Sequence, residues 1–547
     1  MTPSGAHGGA GPAPGPGAGG LPDDVILGLD VGTTAAKAVA FGLAGSGRTG
    51  SDWPGSAWRR AALREYPLRQ PEPGWQVQDP DEVAAAVLAA LAEVVAACQG
   101  ARVAAISVST AMHGLIGLDA QRQPLTPLLT WADARSVPQA RRLKESGAAL
   151  ALYRASGSPI HPMTPLTKLM WCAEHDPALT ARARHWVGLK DFVLATLTGQ
   201  VVTEASSASG TALWDLGTRN WNPVAVALAG VRPEQLPPIL PTTTQLGLGT
   251  AVAARLGLPA GTPVVVGAAD GPLGNLGTGA VQPGTAGLSI GTSGAVRMLV
   301  HEPALDPDGR LFCYALTDDH WVLGGAVSNG GEVLRWAGRL LGADLLRDAA
   351  GANADAELLA LAEAVPPGSE GLLMLPYLLA ERAPLWDPEL TGAFLGIRHG
   401  HSRGHFVRAA VEGVALQLSA IVSRLDRIVP VQSVRATGGV FRSELWRAVL
   451  AGTLARPVTV VGGAEGTALG AAALGLFALG RSPSLEDAAA QLRVGGPEQV
   501  LLADPDAVAA YAALRGSVPA LLRAYTEVTE MFDAMVAPPT TPSAAPS

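Results

Sequence analysis

The chain has 547 residues, a formal net charge of -8 and 48% hydrophobic residues. This length exceeds what one hydrophobic core usually supports, so two or three domains are expected. The acidic balance argues against nucleic acid or an anionic membrane as a partner, and no apolar run reaches the ~18 residues of a membrane span.

The elements begin after a Gly-, Pro- and Ala-rich opening, residues 1–21, whose composition predicts a disordered tail. Strand-like runs such as VILGLD and RVAAISVST then alternate with helical segments, which favours an α/β protein with mixed sheets. The first clear helix has Asp79 as its N-cap and Pro80 at its first position. A second helix is predicted from about residue 405 to 428 by its apolar spacing, and residues 536–547 read as a second tail.

Three widely spaced cysteines, Cys98, Cys172 and Cys313, match no metal-binding pattern. Their odd number and wide spacing suit a reducing compartment rather than a disulfide framework. We therefore expect buried thiols in a soluble, cytoplasmic protein.

The stretch LGLDVGTTAAKAVAF, residues 27–41, places a Gly-Thr-Thr turn between two apolar runs that predict a β-hairpin. An ordinary tight turn would account for it. Backbone N–H groups and hydroxyls in such a turn can also wrap a phosphate, with Lys37 adding positive charge. A weak echo, AGLSIGTSGAVRMLV at residues 286–300, makes a duplicated domain plausible, with one phosphate-binding hairpin in each half.

Two further glycine pairs occur in the segments GGAVSNGGEVLRW and RATGGVFRSELWRAVL. In the second segment, Gly438 and Gly439 end a strand and open a helix, where exposed backbone allows a flat ring or a phosphate to approach closely. Alone, such a pair favours a structural turn. Together with the two hairpins, it predicts the adenosine end of a nucleotide site.

Two carboxylates follow apolar strands. Asp270 ends the run TPVVVGAAD, and a carboxylate there can orient and deprotonate an alcohol during phosphoryl transfer. A turn aspartate before Gly271 is the structural alternative. Asp30 is its counterpart in the first hairpin, where it is expected to hold Mg²⁺, mostly through water.

The chain resembles the FGGY carbohydrate kinase family over about residues 25–480. Two segments, MTPLTKLMW and GAFLGIRHGHSRGHFVRAAVE, match the family's signature patterns, in order. The resemblance implies an α/β fold of two actin-like (ribonuclease H-like) domains with central mixed sheets and an interdomain cleft. The expected bounds are 22–262 for the first domain, 263–490 for the second and 491–535 for a helical extension.

The resemblance also assigns residues to ATP, Mg²⁺ and catalysis. Asp270 matches the catalytic base, and Asp30 stays the candidate for Mg²⁺. The implied ATP-binding residues are Thr33, Thr34, Lys37, Gly291, Thr292, Gly330, Gly439 and Ser443. Ala35 departs from the family's pattern, since many relatives have a serine there, so one hydroxyl is missing from the first loop.

The acceptor side is predicted in three loop segments, STAMHGLIGLD, TWADARS and SGSPIHPMTPL, which offer an aromatic face and polar groups. Each candidate also has a structural explanation, such as a core position for a tryptophan or an ion pair for an arginine. The candidate substrate-binding residues are His113, Trp131, Asp133, Arg135, His161 and Lys168, together with Asp270.

The residue patterns of these loops most resemble those of the gluconate kinase branch, and those of xylulose kinases come next. An arginine fork and a lysine charge suit a carboxylate, although a neutral ketose stays open. The implied reaction is ATP-dependent phosphorylation of the terminal hydroxyl of D-gluconate, giving 6-phosphogluconate and ADP. The alternative is a xylulose, other pentulose or polyol kinase.

Two alternative functions from other protein classes are an actin-like ATPase switch and a sugar sensor that has lost catalysis. Both are less favoured, because the chain adds no peptide-binding domain or basic helix-turn-helix segment and retains Asp270. A homodimer is a further expectation from similar enzymes. The loop ERAPLWDPELTGAFLG, which begins at Glu381 and Arg382, resembles the family's form, which suggests an interdomain or substrate-side role; binding and support of the fold both stay open.

Overall fold

The computed structural model describes residues 22–43, 58–342, 344, 352–462, 466–493 and 498–536. The predicted N-terminal tail and nearly all of the predicted C-terminal tail lie outside these ranges. The strands are β1 (Asp24–Val31), β2 (Ala35–Leu43), β3 (Arg59–Glu65), β4 (Val77–Gln78), β5 (Arg102–Thr110), β6 (Ile116–Leu118), β7 (Leu128–Leu129), β8 (His185–Val187), β9 (Thr203–Glu204), β10 (Trp214–Asp215), β11 (Asn220–Trp221), β12 (Ile239–Leu240), β13 (Gln245–Gly247), β14 (Pro263–Ala269), β15 (Thr285–Ile290), β16 (Gly294–Val300), β17 (Phe312–Ala315), β18 (Trp321–Val327), β19 (Leu373–Leu375), β20 (Ala393–Leu395), β21 (Ser433–Thr437), β22 (Val458–Val460) and β23 (Gln499–Leu501).

The helices surround two sheets and connect them. They are α1 (Pro80–Ala97), α2 (Val137–Glu145), α3 (Ala148–Ser156), α4 (Pro165–His175), α5 (Pro177–Arg182), α6 (Leu189–Thr198), α7 (Ala205–Ser209), α8 (Pro223–Leu228), α9 (Thr250–Leu256), α10 (Asp270–Thr278), α11 (Gly331–Leu341), α12 (Ala352–Glu363), α13 (Arg403–Leu425), α14 (Glu444–Leu454), α15 (Gly466–Ala478), α16 (Leu485–Leu492) and α17 (Pro505–Val536). Short 3₁₀ turns occupy Pro233–Gln235, Ser369–Gly371 and Gly439–Arg442.

The first domain is built on a six-stranded mixed sheet of order β13-β14-β5-β1-β2-β3. The predicted hairpin forms, with β1 antiparallel to β2, and β1 is parallel to β5, which is parallel to β14. Asp30 pairs in register with Ser109, and β14 ends one residue before Asp270. The carboxyl ends of these parallel strands therefore bring both predicted carboxylates to one edge. The expected domain boundary lay before residue 263, yet β14 belongs to this first sheet.

The second domain is built on a seven-stranded sheet of order β17-β18-β16-β15-β21-β22-β23. Its hairpin, β15 with β16, is antiparallel, and β15 is parallel to β21, with Ser289 opposite Thr437. This repeats the arrangement of β1, β2 and β5, so the predicted pair of domains with mixed sheets is confirmed. The two Gly-Thr turns end equivalent strands.

Two helices join the domains with their backbones in close contact. α10 leaves β14 and packs on α15, which also packs on β1 and β5 of the first sheet. A Cβ atom on Gly470 would lie 1.9 Å from the carbonyl oxygen of Leu273, and one on Gly28 would lie 2.0 Å from that of Ala468. These distances exclude any side chain, so glycine is required where the helices meet each other and the sheet.

The local predictions are confirmed where the structure tests them. Asp79 caps α1 by accepting a hydrogen bond from the N–H of Asp81, with Pro80 at the first helical position. All three cysteines are buried free thiols. By length and composition α13 passes as a membrane span, but 83% of that window is buried inside the protein, where it forms a core helix of the second domain.

Candidate active site

Two adjoining cavities lie between the domains. The first, which we name the hairpin cavity, has a volume of about 320 Å³, and its charged lining residues are Asp30, Lys37, Asp270 and Arg297. The second, the aromatic cavity, has a volume of about 280 Å³ and is lined by Trp131, Phe312, Tyr314, Trp386, Asp270, Arg297 and Arg382 among others. Asp270 and Arg297 line both cavities, so the predicted catalytic base stands at their junction.

The two carboxylates face the hairpin cavity with few hydrogen-bond partners. Asp30 accepts from the hydroxyl of Ser109 at 3.2 Å, and Asp270 accepts from the N–H of Gly271 at 2.7 Å. Burial and the nearby charge of Asp270 raise the pKa of Asp30 to about 7. Burial also raises the pKa of Asp270, while the Arg297 guanidinium opposes that change. Their repulsion makes the edge a favourable place for a cation or a proton.

The carboxylate pair fits Mg²⁺ better than a metal with a full set of protein ligands. Within the described ranges, no three His, Cys, Asp or Glu side chains are grouped as a metal site. Mg²⁺ keeps several waters and is held by one or two carboxylates plus substrate phosphates. Asp30, with one oxygen bonded to Ser109, has the other available for a hydrated ion.

Lys190 lies beneath both carboxylates and was missed by sequence reasoning. Its ammonium donates to the carbonyl oxygens of Val108, of Val266 at 3.0 Å and of Ala268 at 2.8 Å. These carbonyls belong to β5 and β14, so Lys190 ties together the strand ends that carry the site. Burial lowers the pKa of Lys190 to about 8. A single lysine in a helical segment gives no signal of this role.

The first Gly-Thr-Thr turn divides its residues between the cavities. Lys37 pairs in register with Asp30 and lines the hairpin cavity. Thr33 lines the aromatic cavity, where its hydroxyl accepts a 2.9 Å hydrogen bond from Nε1 of Trp131. Thr34 is exposed, and its carbonyl accepts from the N–H of Tyr66 at 3.0 Å. The turn therefore presents Lys37 and Thr33 to the cleft.

The second turn packs against the start of α11. The N–H groups of Gly330 and Glu332 donate to the carbonyl of Thr292 at 3.1 and 3.2 Å, and Gly331 donates to the carbonyl of Gly291 at 2.8 Å. A Cβ atom on Gly330 would lie 2.6 Å from the backbone of Ser293. Gly330 thus supports the turn by close packing, whereas Gly291 and Thr292 are exposed, and Gly291 lines the aromatic cavity.

The last predicted nucleotide segment follows β21. Gly438 has φ = 133°, and a Cβ atom there would lie 2.0 Å from the carbonyl oxygen of Ile290, so the segment crosses the end of β15 closely. Gly439 is exposed and begins the 3₁₀ turn. Ser443 caps α14, accepting a 3.4 Å hydrogen bond from the N–H of Trp446. The predicted nucleotide segments therefore meet at neighbouring strand ends.

Of the predicted acceptor residues, His113 and Trp131 line the aromatic cavity. His113 has φ = 64° and its Nδ1 lies 2.8 Å from the carbonyl oxygen of Gly210. Because a carbonyl only accepts, Nδ1 carries the proton and Nε2 is the acceptor. Burial lowers the pKa of His113 to about 3, so the ring stays neutral.

The other predicted acceptor residues are not brought to the cavity wall. Arg135 holds Asp133 through two hydrogen bonds of 2.7 and 2.9 Å and stacks on Trp75, 3.6 Å from the ring centroid. Lys168 is fully buried and donates to the carbonyls of His113 and Thr130 at 2.7 and 2.6 Å. Arg135 and Lys168 line neither cavity, because Arg135 is paired with Asp133 and the Lys168 ammonium is bonded to two backbone carbonyls.

His161 stands one layer behind the wall. It is buried, its Nδ1 accepts from the N–H of Met163 at 3.2 Å, and its ring meets that of the wall residue Trp386 at 5.8 Å. Burial keeps the pKa of His161 well below its usual value. It supports Trp386 as a neutral ring.

The second domain supplies the cations that sequence reasoning missed. Arg297 lies in β16, one strand of the second hairpin, and Arg382 lies in the loop whose role was left open. The available signal for Arg297 was a basic residue in the second strand of each hairpin. The form of the loop segment suggested an interdomain or substrate-side role, but did not single out Arg382. Chemically, the junction offers a carboxylate base between a hairpin cavity that contains Lys37 and an aromatic cavity lined by two guanidinium groups.

The two domains of one known family together match most of the chain. The FGGY family of carbohydrate kinases, N-terminal domain, matches residues 25–277, and the C-terminal domain of the same family matches residues 286–479. A gluconokinase from Bacillus subtilis (strain 168) is 38% identical over 466 residues, which cover 84% of this chain and 89% of that protein.

Solved structures agree with this. A crystal structure of gluconate kinase from Lactobacillus acidophilus has a TM-score of 0.84 and 31% identity, covering 92% of this chain and 98% of that one. A ligand-bound xylulose kinase from the same organism has a TM-score of 0.85 and 31% identity, covering 93% of this chain and all of that one (100%). The predicted fold is confirmed, and both substrates remain represented among the relatives.

Proposed function

Because this chain belongs to the FGGY family of carbohydrate kinases, we propose that it transfers the γ-phosphoryl group of ATP to the terminal hydroxyl of D-gluconate. The products are 6-phosphogluconate and ADP. This proposal places nucleotide phosphates in the hairpin cavity and the sugar acid in the aromatic cavity. The hydroxyl that reacts then meets Asp270 at the junction.

The observation that carries gluconate is the charge of the aromatic cavity. Its charged lining residues are one carboxylate, Asp270, and two guanidinium groups, Arg297 and Arg382. Burial lowers the pKa of Arg382 to about 10, which means that burial disfavours its charged form. The carboxylate of an acidic acceptor would stabilise that charged form, whereas a neutral ketose would not.

Asp270 performs the proton transfer in this mechanism. Its carboxylate orients the acceptor hydroxyl and takes its proton as the oxygen attacks the γ-phosphorus in line. Arg297, beside Asp270, stabilises charge on the transferring group and favours the ionised form of the base against the effect of burial. The aromatic rings around the acceptor exclude water, which limits transfer to water instead.

Mg²⁺ is the expected companion of the nucleotide, and bound there it neutralises charge on the phosphate oxygens. Asp30 would hold it, through water, from the end of β1. Lys37, paired with Asp30 across the hairpin, adds a second positive charge at the same edge. We expect a cytoplasmic enzyme, with a homodimer as the expected assembly.

A coupled ADP-release assay with Mg·ATP tests the proposal against D-gluconate, D-xylulose, L-ribulose and glycerol. We expect a strong preference for D-gluconate in kcat/KM. If D-gluconate is inert and a neutral ketose turns over, the substrate assignment is wrong and the kinase remains. If no acceptor releases ADP, a sensor or switch with this fold replaces the kinase.

A further inference from the structure

We propose that Arg382 selects an acidic acceptor by holding its carboxylate in the aromatic cavity. This inference rests on the proposed gluconate kinase function and names the residue that decides its specificity. Arg382 comes from the loop between β19 and β20 of the second domain, whereas Trp131 and His113 come from the first. The acceptor is therefore held between the two domains.

The guanidinium of Arg382 is fixed before any ligand arrives. Its Nη2 donates to the carbonyl oxygen of Val327 at 2.8 Å, and its Nε donates to the hydroxyl of Ser328 at 3.2 Å. Its Cζ lies 4.6 Å from the ring centroid of Trp131. Among the described residues no acceptor is bonded to the remaining nitrogen, Nη1, which leaves it as the donor for a ligand. A preset donor loses little entropy on binding.

The neighbouring carboxylate favours the charged form of Arg382 but is not hydrogen-bonded to its guanidinium. Glu381 is fully buried, and its two oxygens accept from Nδ2 of Asn329 at 2.7 Å and from the backbone N–H of Arg382 at 2.8 Å. The side chain of Glu381 therefore ties the loop to Asn329, outside the loop, and to the backbone of Arg382. Arg382 keeps a positive charge that an incoming anion can pair with.

Arg297 and Arg382 have different roles because they line different parts of the site. Arg297 lines both cavities, beside Asp270, and a Cβ atom on Gly271 would lie 3.3 Å from its Nε. It therefore serves transfer to any acceptor. Arg382 lines only the aromatic cavity of the two, so its contribution depends on what the acceptor carries.

The test compares two acceptors of equal length, D-gluconate and D-glucitol, which has CH₂OH in place of the carboxylate. In Arg382→Met, we expect kcat/KM for D-gluconate to fall about 10- to 100-fold, mainly through KM, because a charge-assisted pair is lost. The value for D-glucitol and the KM for ATP stay within about threefold. Calorimetry of D-gluconate binding to the whole protein gives the same split without turnover.

Two variants separate specificity from disturbance of the loop. Arg382→Lys keeps the charge but loses the fork, and we expect an intermediate discrimination. Arg141→Gln removes an exposed arginine that pairs with Glu389 of the same loop, and its kinetics should stay within about twofold of the parent chain. Thermal melting confirms that each variant is folded.

Three results overturn the assignment. If Arg382→Met binds D-gluconate within threefold of the parent chain, or loses both acceptors equally, Arg382 is not the carboxylate partner and the proposed function stands. If the parent chain phosphorylates D-xylulose and not D-gluconate, the function and the assignment both fail.

Discussion

The hairpin cavity and the aromatic cavity differ in how the chain builds them. The first is assembled from the ends of sheet strands, where Asp30, Lys37 and Asp270 have positions set by register. The second is assembled from loops and strands of both domains, and its cations Arg297 and Arg382 lie far along the chain from His113 and Trp131. Local sequence therefore predicts the transfer machinery better than the residues that choose the acceptor.

The largest expected effect is at the junction of the cavities. Asp270→Asn removes the base but keeps its shape, so kcat should fall by about 10²- to 10⁴-fold. Nucleotide binding, measured by calorimetry with Mg·ATP, should survive. If the variant turns over at a rate close to that of the parent chain, Asp270 is not the base. The two cavities then do not divide into a transfer side and an acceptor side.

Arg135 provides the contrast to Arg382, because its guanidinium is already paired. Arg135→Met leaves Asp133 buried without its partner, and we expect the free energy of unfolding to fall by about 3–5 kcal/mol. The KM for D-gluconate should stay unchanged below the melting temperature. Chemical denaturation and steady-state kinetics measure the two quantities. A large rise in KM without loss of stability would return Arg135 to the acceptor site.

The pH dependence tests the hairpin cavity. Since the pKa of Asp30 is about 7, its carboxylate is charged above that pH and neutral below it. Activity should therefore fall as the pH drops through about 7, by up to tenfold per pH unit at limiting Mg²⁺. Because Mg²⁺ competes with the proton, raising its concentration should move the midpoint to lower pH. In Asp30→Asn, the midpoint should no longer depend on the Mg²⁺ concentration. If the midpoint of the parent chain does not move with Mg²⁺, Asp30 does not hold the metal.

The smallest effect is expected at Trp131, in the wall of the aromatic cavity. Trp131→Phe keeps the ring beneath Arg382 and loses the hydrogen bond to Thr33. Such a bond contributes about 1 kcal/mol, so kcat/KM should fall about fivefold with either acceptor. Steady-state kinetics with D-gluconate and D-glucitol checks this. A change confined to D-gluconate would place the ring itself in acid recognition.

Much of the fold could be predicted because its signals are local. The apolar runs, the Gly-Thr turns and the cap of α1 are each decided by a few adjacent residues. The placement of Asp30 and Asp270 at one sheet edge follows from parallel strands ending together. The assignment of β14 to the first sheet could not be predicted, because strand pairing over more than 150 residues leaves no local trace.

The acceptor side could be predicted only in part. Arg135 and Lys168 have the charge that an acid requires, and sequence cannot show that folding directs them to Asp133 and to two backbone carbonyls instead of the cavity wall. Arg382 could not be singled out from the sequence because its partners, Val327 and Ser328, are about fifty residues away. Charge is visible in a sequence, but its availability depends on the partners that folding supplies.

The glycine contacts at Gly470 and Gly28 have a mechanical consequence. Where α10, α15 and β1 meet, no side chain stands between the backbones, so a small rotation there requires no repacking of rotamers. Asp30 lies two residues from Gly28 in the first domain, whereas Arg297 and Arg382 both belong to the second. A rotation between the domains would therefore move both guanidinium groups together relative to Asp30 and Trp131.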